Sequence, residues 1–158
     1  MTTSWQAKVL TVSDGVSTGH REDLSGRALV AFLEEHGFTV VEHALCADGE
    51  ETVFAQLSVM TNSFSGLVVS TGGTGFSPRD ETPEGALRVI QRLAPGLSEA
   101  MRAVNPLGRL SRGVAGVVGQ CIVVTTPGSP KGCIEQLGAI VDVLPHALAL
   151  LCETPTQH

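Results

Sequence analysis

The sequence lacks a long uninterrupted run of apolar residues, because Gly, Thr or Pro breaks its apolar segments every few positions. A membrane-spanning helix needs about 20 consecutive, predominantly apolar residues. The first residues, MTTSWQAKVLTVS, also lack the basic start and long apolar core of a secretory signal. We therefore expect no transmembrane segment and a cytoplasmic protein.

Metal-binding and disulfide patterns are also missing. The four cysteines have no C-x-x-C spacing, and the five histidines form no H-x-x-x-H pair. This arrangement favours neither a zinc site nor a disulfide framework. We interpret the cysteines as mostly buried thiols and assign no metal ligands to the protein itself. They are Cys46, Cys121, Cys133 and Cys152.

Basic residues are scarce and scattered. Ten Lys and Arg stand against 16 Asp and Glu, which gives a formal net charge of −6 and a pI near 5.3. A nucleic-acid surface needs clustered Lys and Arg to neutralise phosphates. We therefore expect no nucleic-acid partner, and an anionic ligand would have to be held by local hydrogen-bond donors.

The composition that remains is that of a globular domain. The 158 residues are 42% hydrophobic and 16% charged, with no repeat, low-complexity tract or linker. We expect one domain over residues 1–158, with residues 1–6 and 154–158 as loose ends.

Strand-like and helix-like segments alternate along the chain. Strands are predicted over residues 7–13, 38–46 and 66–71, and as a pair turning near Gly119; helices are predicted over 26–37, 50–60, from Thr82-Pro83, over 96–104, and as closing helices interrupted at Pro145. Parallel strands need crossover connections, so this order predicts a three-layer α/β fold, with a mostly parallel sheet covered by helices on both faces.

In such sheets, ligands bind at the carboxyl ends of the strands. There the segment TGGTG, residues 71–75, follows a predicted strand. Closely spaced glycines allow positive φ and let N–H groups approach an anion, and Thr74 adds a hydroxyl donor. The spacing matches neither the lysine-ended P-loop nor the dinucleotide fingerprint. The segment therefore indicates a phosphate cradle, or else a strand-to-helix turn that merely needs glycine.

Two acids follow strand ends beside this loop. Asp80 and Asp48 could hold Mg²⁺ and support metal-assisted phosphoryl or nucleotidyl transfer. Each could instead be a helix cap, Asp80 for the helix at Pro83 and Asp48 for the helix that follows it.

Five motifs in order resemble one family over residues 8–151: LTVSD, TGGTGFSPRDETPE, PGLSEAMR, LSRGVAG and PGSPKG. They resemble the molybdopterin adenylyltransferase family, the Mog and MoaB-like proteins, which are related to the gephyrin and plant Cnx G domains. The resemblance implies a molybdopterin-binding-domain-like fold and Mg²⁺-dependent transfer of AMP from ATP to the terminal phosphate of molybdopterin, in molybdenum cofactor biosynthesis. It also implies a homotrimer and a possible molybdenum insertase partner.

Carried over by position, Asp48 and Asp80 match the two catalytic acids around Mg-ATP. Ser111 matches a position on the pterin side of the crevice. Thr125 stands where many catalytic members carry Asn, and we expect its hydroxyl to replace that amide at the crevice. The substrate-binding positions implied by the resemblance are Ser13, Asp14, Gly72, Gly73, Thr74, Gly75, Ser111, Thr125, Pro127, Gly128 and Ser129.

Two other functions are compatible with parts of the pattern. Some MoaB-like proteins keep the fold without the activity, which makes a non-catalytic pterin-binding or scaffold trimer an alternative. A flavodoxin-like or receiver-like domain would use Asp14 and Lys131, but it has no use for the glycine loop.

Overall fold

Two segments of apolar and threonine residues, GLVVST and CIVVTT, form adjacent and fully buried strands in the computed structural model, which describes residues 4–154. The strands are β1 (Gln6–Val12), β2 (Thr39–Cys46), β3 (Gly66–Thr71), β4 (Arg92–Leu93), β5 (Ala115–Val118) and β6 (Cys121–Thr126). The helices are α1 (Asp14–Ser17), α2 (Leu24–Glu35), α3 (Glu50–Thr61), α4 (Thr82–Val89), α5 (Pro95–Ala103), α6 (Pro130–Gly138) and α7 (Leu144–Leu151), with a 3₁₀ helix (Pro106–Leu110) between α5 and β5.

The strands form one six-stranded sheet in the order β2-β1-β3-β6-β5-β4. The pairs β1/β2, β1/β3 and β3/β6 are parallel, whereas β5/β6 and β4/β5 are antiparallel. The antiparallel edge follows from the tight turn at Gly119, which has a φ of +56° and joins β5 directly to β6. The predicted fold class, three-layer α/β with a mostly parallel sheet, is confirmed.

The sheet has an apolar core on each face because alternate strand residues point to opposite sides. On one face, Val9 and Val69 pack with Leu33 of α2 and Leu137 of α6. On the other face, Val68 and Val123 pack with α3 and α4. These two layers hold the carboxyl ends of β1, β2, β3 and β6 at one edge, where the predicted site loops emerge.

The expected loose N-terminus is wrong for its described part. Gln6 begins β1, Trp5 packs partly buried against the core, and the hydroxyl of Ser4 donates to the Gly37 carbonyl oxygen at 3.0 Å. Residues 1–3 and 155–158, the rest of the expected loose ends apart from Thr154, lie outside the described residues.

The closing helices also differ from the prediction. The break falls between α6 and α7, and Pro145 occupies the first turn of α7, where a missing N–H costs no helical hydrogen bond. Within the described part of the chain, no helix combines the length and apolar character needed to cross a bilayer.

Candidate active site

Two cavities open at the carboxyl edge of the sheet and meet at the glycine loop. The first, of about 580 Å³, extends towards the 3₁₀ helix and α6. The second, of about 460 Å³, extends towards α1 and the start of α2. Both are lined by Gly73, Asp80, Gly128 and Ser129. The predicted glycine loop and Pro-Gly turn thus form the common boundary of two adjoining spaces.

The backbone of the glycine loop requires glycine at two positions. Gly72 and Gly73 have φ values of +102° and +69°, which residues with a Cβ rarely adopt. A Cβ on Gly72 would lie 2.1 Å from the carbonyl oxygen of Val12, and one on Gly73 would lie 2.2 Å from Thr82 Oγ1. Conformation and close packing therefore both exclude a side chain here.

The glycine loop is tied to the turn that follows β6. The amide of Gly72 donates to the carbonyl oxygen of Thr126 at 3.0 Å, and the hydroxyl of Thr71 donates to the carbonyl oxygen of Pro127 at 2.7 Å. These bonds hold Gly128 beside Gly72, so that a Cβ on Gly128 would lie 3.4 Å from the Gly72 Cα. The two loops therefore form one continuous wall.

Asp14 and Asp48 join the loops after β1 and β2. The amide of Asp14 donates to Asp48 Oδ2 at 3.0 Å, and the amide of Asp48 donates to Asp14 Oδ1 at 3.1 Å. The guanidinium of Arg79 donates from Nε and Nη2 to the Asp14 carboxylate and from Nη2 to the carbonyl oxygen of Asp48. Arg79 thereby connects the segment after the glycine loop to the loops after β1 and β2.

The pKa values of Asp14 and Asp48 are shifted in opposite directions. The hydrogen bond from Arg79 holds the pKa of Asp14 below its ordinary value. Burial raises the pKa of Asp48, and the nearby charges of Asp14 and Asp80 raise it further. Asp48 is therefore the carboxylate of this network that gains most from an added cation.

Neither Asp48 nor Asp80 caps a helix, so both capping alternatives are wrong. Gly49 occupies the N-cap position of α3, and that helix has no side-chain cap. Asp80 Oδ2 accepts from the amide of Ser77 at 3.1 Å, within the loop that precedes α4. Thr82 begins α4 beside Pro83, and its hydroxyl has no hydrogen-bond partner among the described residues.

The other predicted residues divide between the cavities. Thr74, Gly75, Ser111 and Pro127 line the first cavity. Ser13, Asp48 and Gly72 line the second. Ser13 and Ser129 also cap α1 and α6, accepting from Val16 N and Gly132 N.

Asp14 and Thr125 line neither cavity, unlike the other predicted substrate-binding residues. The carboxylate of Asp14 is engaged by Arg79 and by the amide of Asp48. Thr125 is 1% exposed, and its hydroxyl donates to the carbonyl oxygen of Val114 at 3.0 Å and accepts from the Val114 amide at 2.8 Å. The Thr125 side chain therefore supports the backbone after Ser111.

Comparison with known proteins identifies the family. Residues 8–146 match the model of the probable molybdopterin binding domain. The chain belongs to this family. The molybdopterin adenylyltransferase of Helicobacter pylori strain J99 is 36% identical over 150 residues, which cover 90% of this chain and 85% of that protein. The solved structure of the molybdopterin biosynthesis enzyme MoaB from Thermus matches with a TM-score of 0.90 and 39% identity, over 97% of this chain and 99% of that one.

Longer proteins also contain the molybdopterin binding domain. Gephyrin of Dictyostelium discoideum is 34% identical over 96% of this chain, which spans only 23% of the length of that protein. Membership of the family makes the receiver-like alternative wrong. The structure agrees, because Asp14 is engaged by Arg79, and Lys131 lies 3.6 Å from the carboxylate of Glu135.

Sequence reasoning did not identify Arg112 as a support of the site in this molybdopterin binding domain. Its guanidinium donates to the carbonyl oxygens of Gly75 and Asp80 and to the carboxylate of Glu84, and its amide donates to the carbonyl oxygen of Thr74. These contacts hold both ends of the segment that carries Asp80. Arg112 lies in the LSRGVAG motif, but a motif does not reveal contacts that reach over 30 positions along the chain.

The protein itself offers few metal ligands. In the part of the chain that the structure describes, no group of three or more His, Cys, Asp or Glu side chains could hold a metal ion. Two carboxylates together with substrate phosphates are nevertheless a usual Mg²⁺ environment. Asp48 fits that role, since its Oδ1 accepts no hydrogen bond from the described residues and its pKa is raised by burial.

Proposed function

We propose that this chain is a molybdopterin adenylyltransferase that transfers AMP from Mg-ATP to the terminal phosphate of molybdopterin. The observation that carries the proposal is the meeting of two substrate-sized cavities at Gly73, Asp80, Gly128 and Ser129. A transfer between two bound substrates requires adjoining sites with the reacting phosphates at their boundary. The Helicobacter pylori relative is named a molybdopterin adenylyltransferase, which supports the same activity.

The first cavity is assigned to the pterin and the second to the nucleotide. Ser111, which the family resemblance puts on the pterin side, lines the first cavity. Leu107 and Leu110 give that cavity an apolar wall suited to a flat ring. The second cavity contains Ser13, Arg21 and Ser25, which are donors for the charged and hydroxylated parts of a nucleotide.

The reaction needs no nucleophile from the protein. A terminal phosphate oxygen of molybdopterin forms a bond to the α-phosphorus of ATP, the bond from that phosphorus to the β-phosphate oxygen breaks, and pyrophosphate leaves. Gly73 of the glycine loop and Ser129, the N-cap of α6, line the boundary, and the positive end of the α6 dipole there would favour the charge on the phosphates.

Asp48 and Asp80 are the residues that would hold the Mg²⁺ arriving with ATP. That ion neutralises phosphate charge when it is bound. The two carboxylates come from different strand ends, Asp48 after β2 and Asp80 after β3. The reciprocal bonds with Asp14 hold the first, and the contacts of Arg112 hold the segment of the second.

Incubation of the full chain with molybdopterin, ATP and Mg²⁺ tests the proposal. We expect adenylylated pterin and pyrophosphate in equal amounts, separated by anaerobic chromatography, and no product without Mg²⁺. Binding of molybdopterin without any product, in a preparation that retains the fold, would support the scaffold alternative instead.

Assembly forms a further part of the proposal. The family resemblance supports a homotrimer and a molybdenum insertase as partner, and the greater length of gephyrin shows that this domain can be joined to further segments. Light scattering of the purified chain distinguishes a trimer from a monomer. Co-purification with a molybdenum insertase would test the partner.

A further inference from the structure

One face of α6 continues the first cavity beyond the Pro-Gly turn. Gly132, Glu135 and Gln136 of α6 all line it, and Glu135 and Gln136 follow Gly132 by three and four residues, which places them on the side of the helix where Gly132 lies. Neither Glu135 nor Gln136 belongs to the motifs that point to phosphate chemistry. Both line the first cavity and neither lines the second one.

Gln136 is the most unusual residue of this face. It is only 6% exposed, and its side-chain amide makes no hydrogen bond with the described residues. Its amide atoms are not among the fully buried polar atoms that lack a partner, so they reach the cavity, where a ligand could complete their hydrogen bonds. A primary amide can both donate and accept, so an edge that carries both kinds of group satisfies it.

Glu135 is held in place beside Gln136. Asn105 Nδ2 donates to Glu135 Oε2 at 3.1 Å, and Asn105 is itself fixed by the amide of Leu107, which donates to Asn105 Oδ1 at 2.9 Å. Lys131 Nζ lies 3.6 Å from Oε1. The carboxylate is therefore oriented before any ligand arrives, and it keeps acceptor capacity because each oxygen has more than one acceptor site.

The wall beside these polar groups is apolar. Leu107 and Leu110 of the 3₁₀ helix are 72% and 54% exposed and line the same cavity. Apolar walls with a few placed polar groups are the usual environment of flat heterocycles. A ring lying on these leucines would present its edge to α6.

We propose that Glu135 and Gln136 recognise the hydrogen-bonding edge of the pterin ring. The pterin 2-amino group and N3–H are adjacent donors that suit a carboxylate, and the neighbouring 4-oxo group is an acceptor for the amide of Gln136. Adenine suits this pair less well, since its amino group stands beside an acceptor nitrogen. The inference rests on the proposed function, because that function brings a pterin to the first cavity.

Two small ligands test the recognition without the phosphate chemistry. 6-Hydroxymethylpterin carries the 2-amino group, whereas 6-hydroxymethyllumazine has an oxo group there and would direct an acceptor at Glu135. Fluorescence titration of the full chain should give at least about tenfold tighter binding of the pterin, the effect of one charge-assisted hydrogen bond.

Two variants test the roles of Glu135 and Gln136 separately. Glu135→Gln should remove most of the preference for pterin over lumazine, because an amide can rotate to donate to the oxo group. Gln136→Leu should weaken both ligands about tenfold and leave their ratio unchanged. ATP affinity should not change in either variant. Glu34→Gln on α2 and Gln56→Leu on α3 are matched controls outside the cavity.

An unchanged pterin-to-lumazine ratio in a folded Glu135→Gln variant would overturn the proposal, as would a loss of ATP affinity with pterin binding intact. Glu135 is partly exposed, so this variant remains informative if Gln136→Leu unfolds. Pterin preference without any adenylylated product from the natural chain would leave this inference standing and refute the proposed function. Adenylylated product with no pterin preference would support the proposed function and refute this inference.

Discussion

Asp14 and Asp48 bond to each other reciprocally, each backbone amide donating to the carboxylate of the other at 3.0 and 3.1 Å. The loops after two adjacent parallel strands are thus locked as one unit. This unit presents Asp48 to the second cavity while Asp14 pairs with Arg79. A residue that lines neither cavity therefore holds a proposed catalytic residue in place.

Asp80→Asn should preserve the fold and pterin binding while lowering adenylyl transfer by on the order of 10²-fold or more. The amide keeps the size of the side chain and can still accept from Ser77, but it cannot serve Mg²⁺ as an anion. Steady-state kinetics with molybdopterin and ATP would measure the loss. Unchanged turnover would remove Asp80 from the mechanism.

Asp48→Asn should lower transfer but stabilise the ligand-free protein at neutral pH. Burial raises the folded pKa of Asp48 above its unfolded value, so its ionisation opposes folding as pH rises above about 4. The gain in stability should therefore be present at pH 7 and absent near pH 3. Denaturant unfolding at both pH values measures it, with the exposed Asp142→Asn as control. Lower stability of Asp48→Asn at pH 7 would contradict this account.

Gly73→Val should abolish binding of both nucleotide and pterin phosphate. Its Cβ would collide with Thr82 Oγ1 at 2.2 Å and approach Asp48 Oδ1 at 3.3 Å, at a φ of +69°. Gly37→Val provides the matched control, because Gly37 has a φ of +86° but no atom within 4 Å of an added Cβ. The control should lose stability of about 1–3 kcal/mol from strain and keep both ligands. Calorimetric titration with each ligand distinguishes the two variants. Wild-type affinity in Gly73→Val would show that the loop is only a turn and does not bind phosphate.

Thr125→Val should destabilise the protein by about 1–3 kcal/mol, because the amide of Val114 loses its acceptor. Thr125→Ser should stay close to the natural chain, since it keeps the hydroxyl. Thermal unfolding compares the two variants. Since Thr125 lines neither cavity, any loss of activity in Thr125→Val should follow the loss of fold. A specific rise in KM for molybdopterin at full stability would place Thr125 at the ligand after all.

The order and type of the elements could be predicted because local patterns determine them. A short apolar run marked β3, Pro83 marked the start of α4 and Gly119 marked a turn, and a chain of alternating strands and helices has few compact arrangements. The structure of the first described residues was less predictable. Whether Ser4 and Trp5 are anchored depends on Gly37 and on core residues far along the chain.

At the site, the sequence alone determined the glycine loop and both acids, because local backbone demands and carboxylate chemistry can be recognised from a short motif. Only the tertiary structure decided which side chains line the two cavities. Asp14 anchors the loop after β2, and Thr125 is a buried support. Gln136 lines the first cavity, although no motif indicated that position. The physical reason is that orientation depends on partners distant in sequence, such as Arg79 for Asp14 and Val114 for Thr125, whose positions only the packed sheet and helices determine.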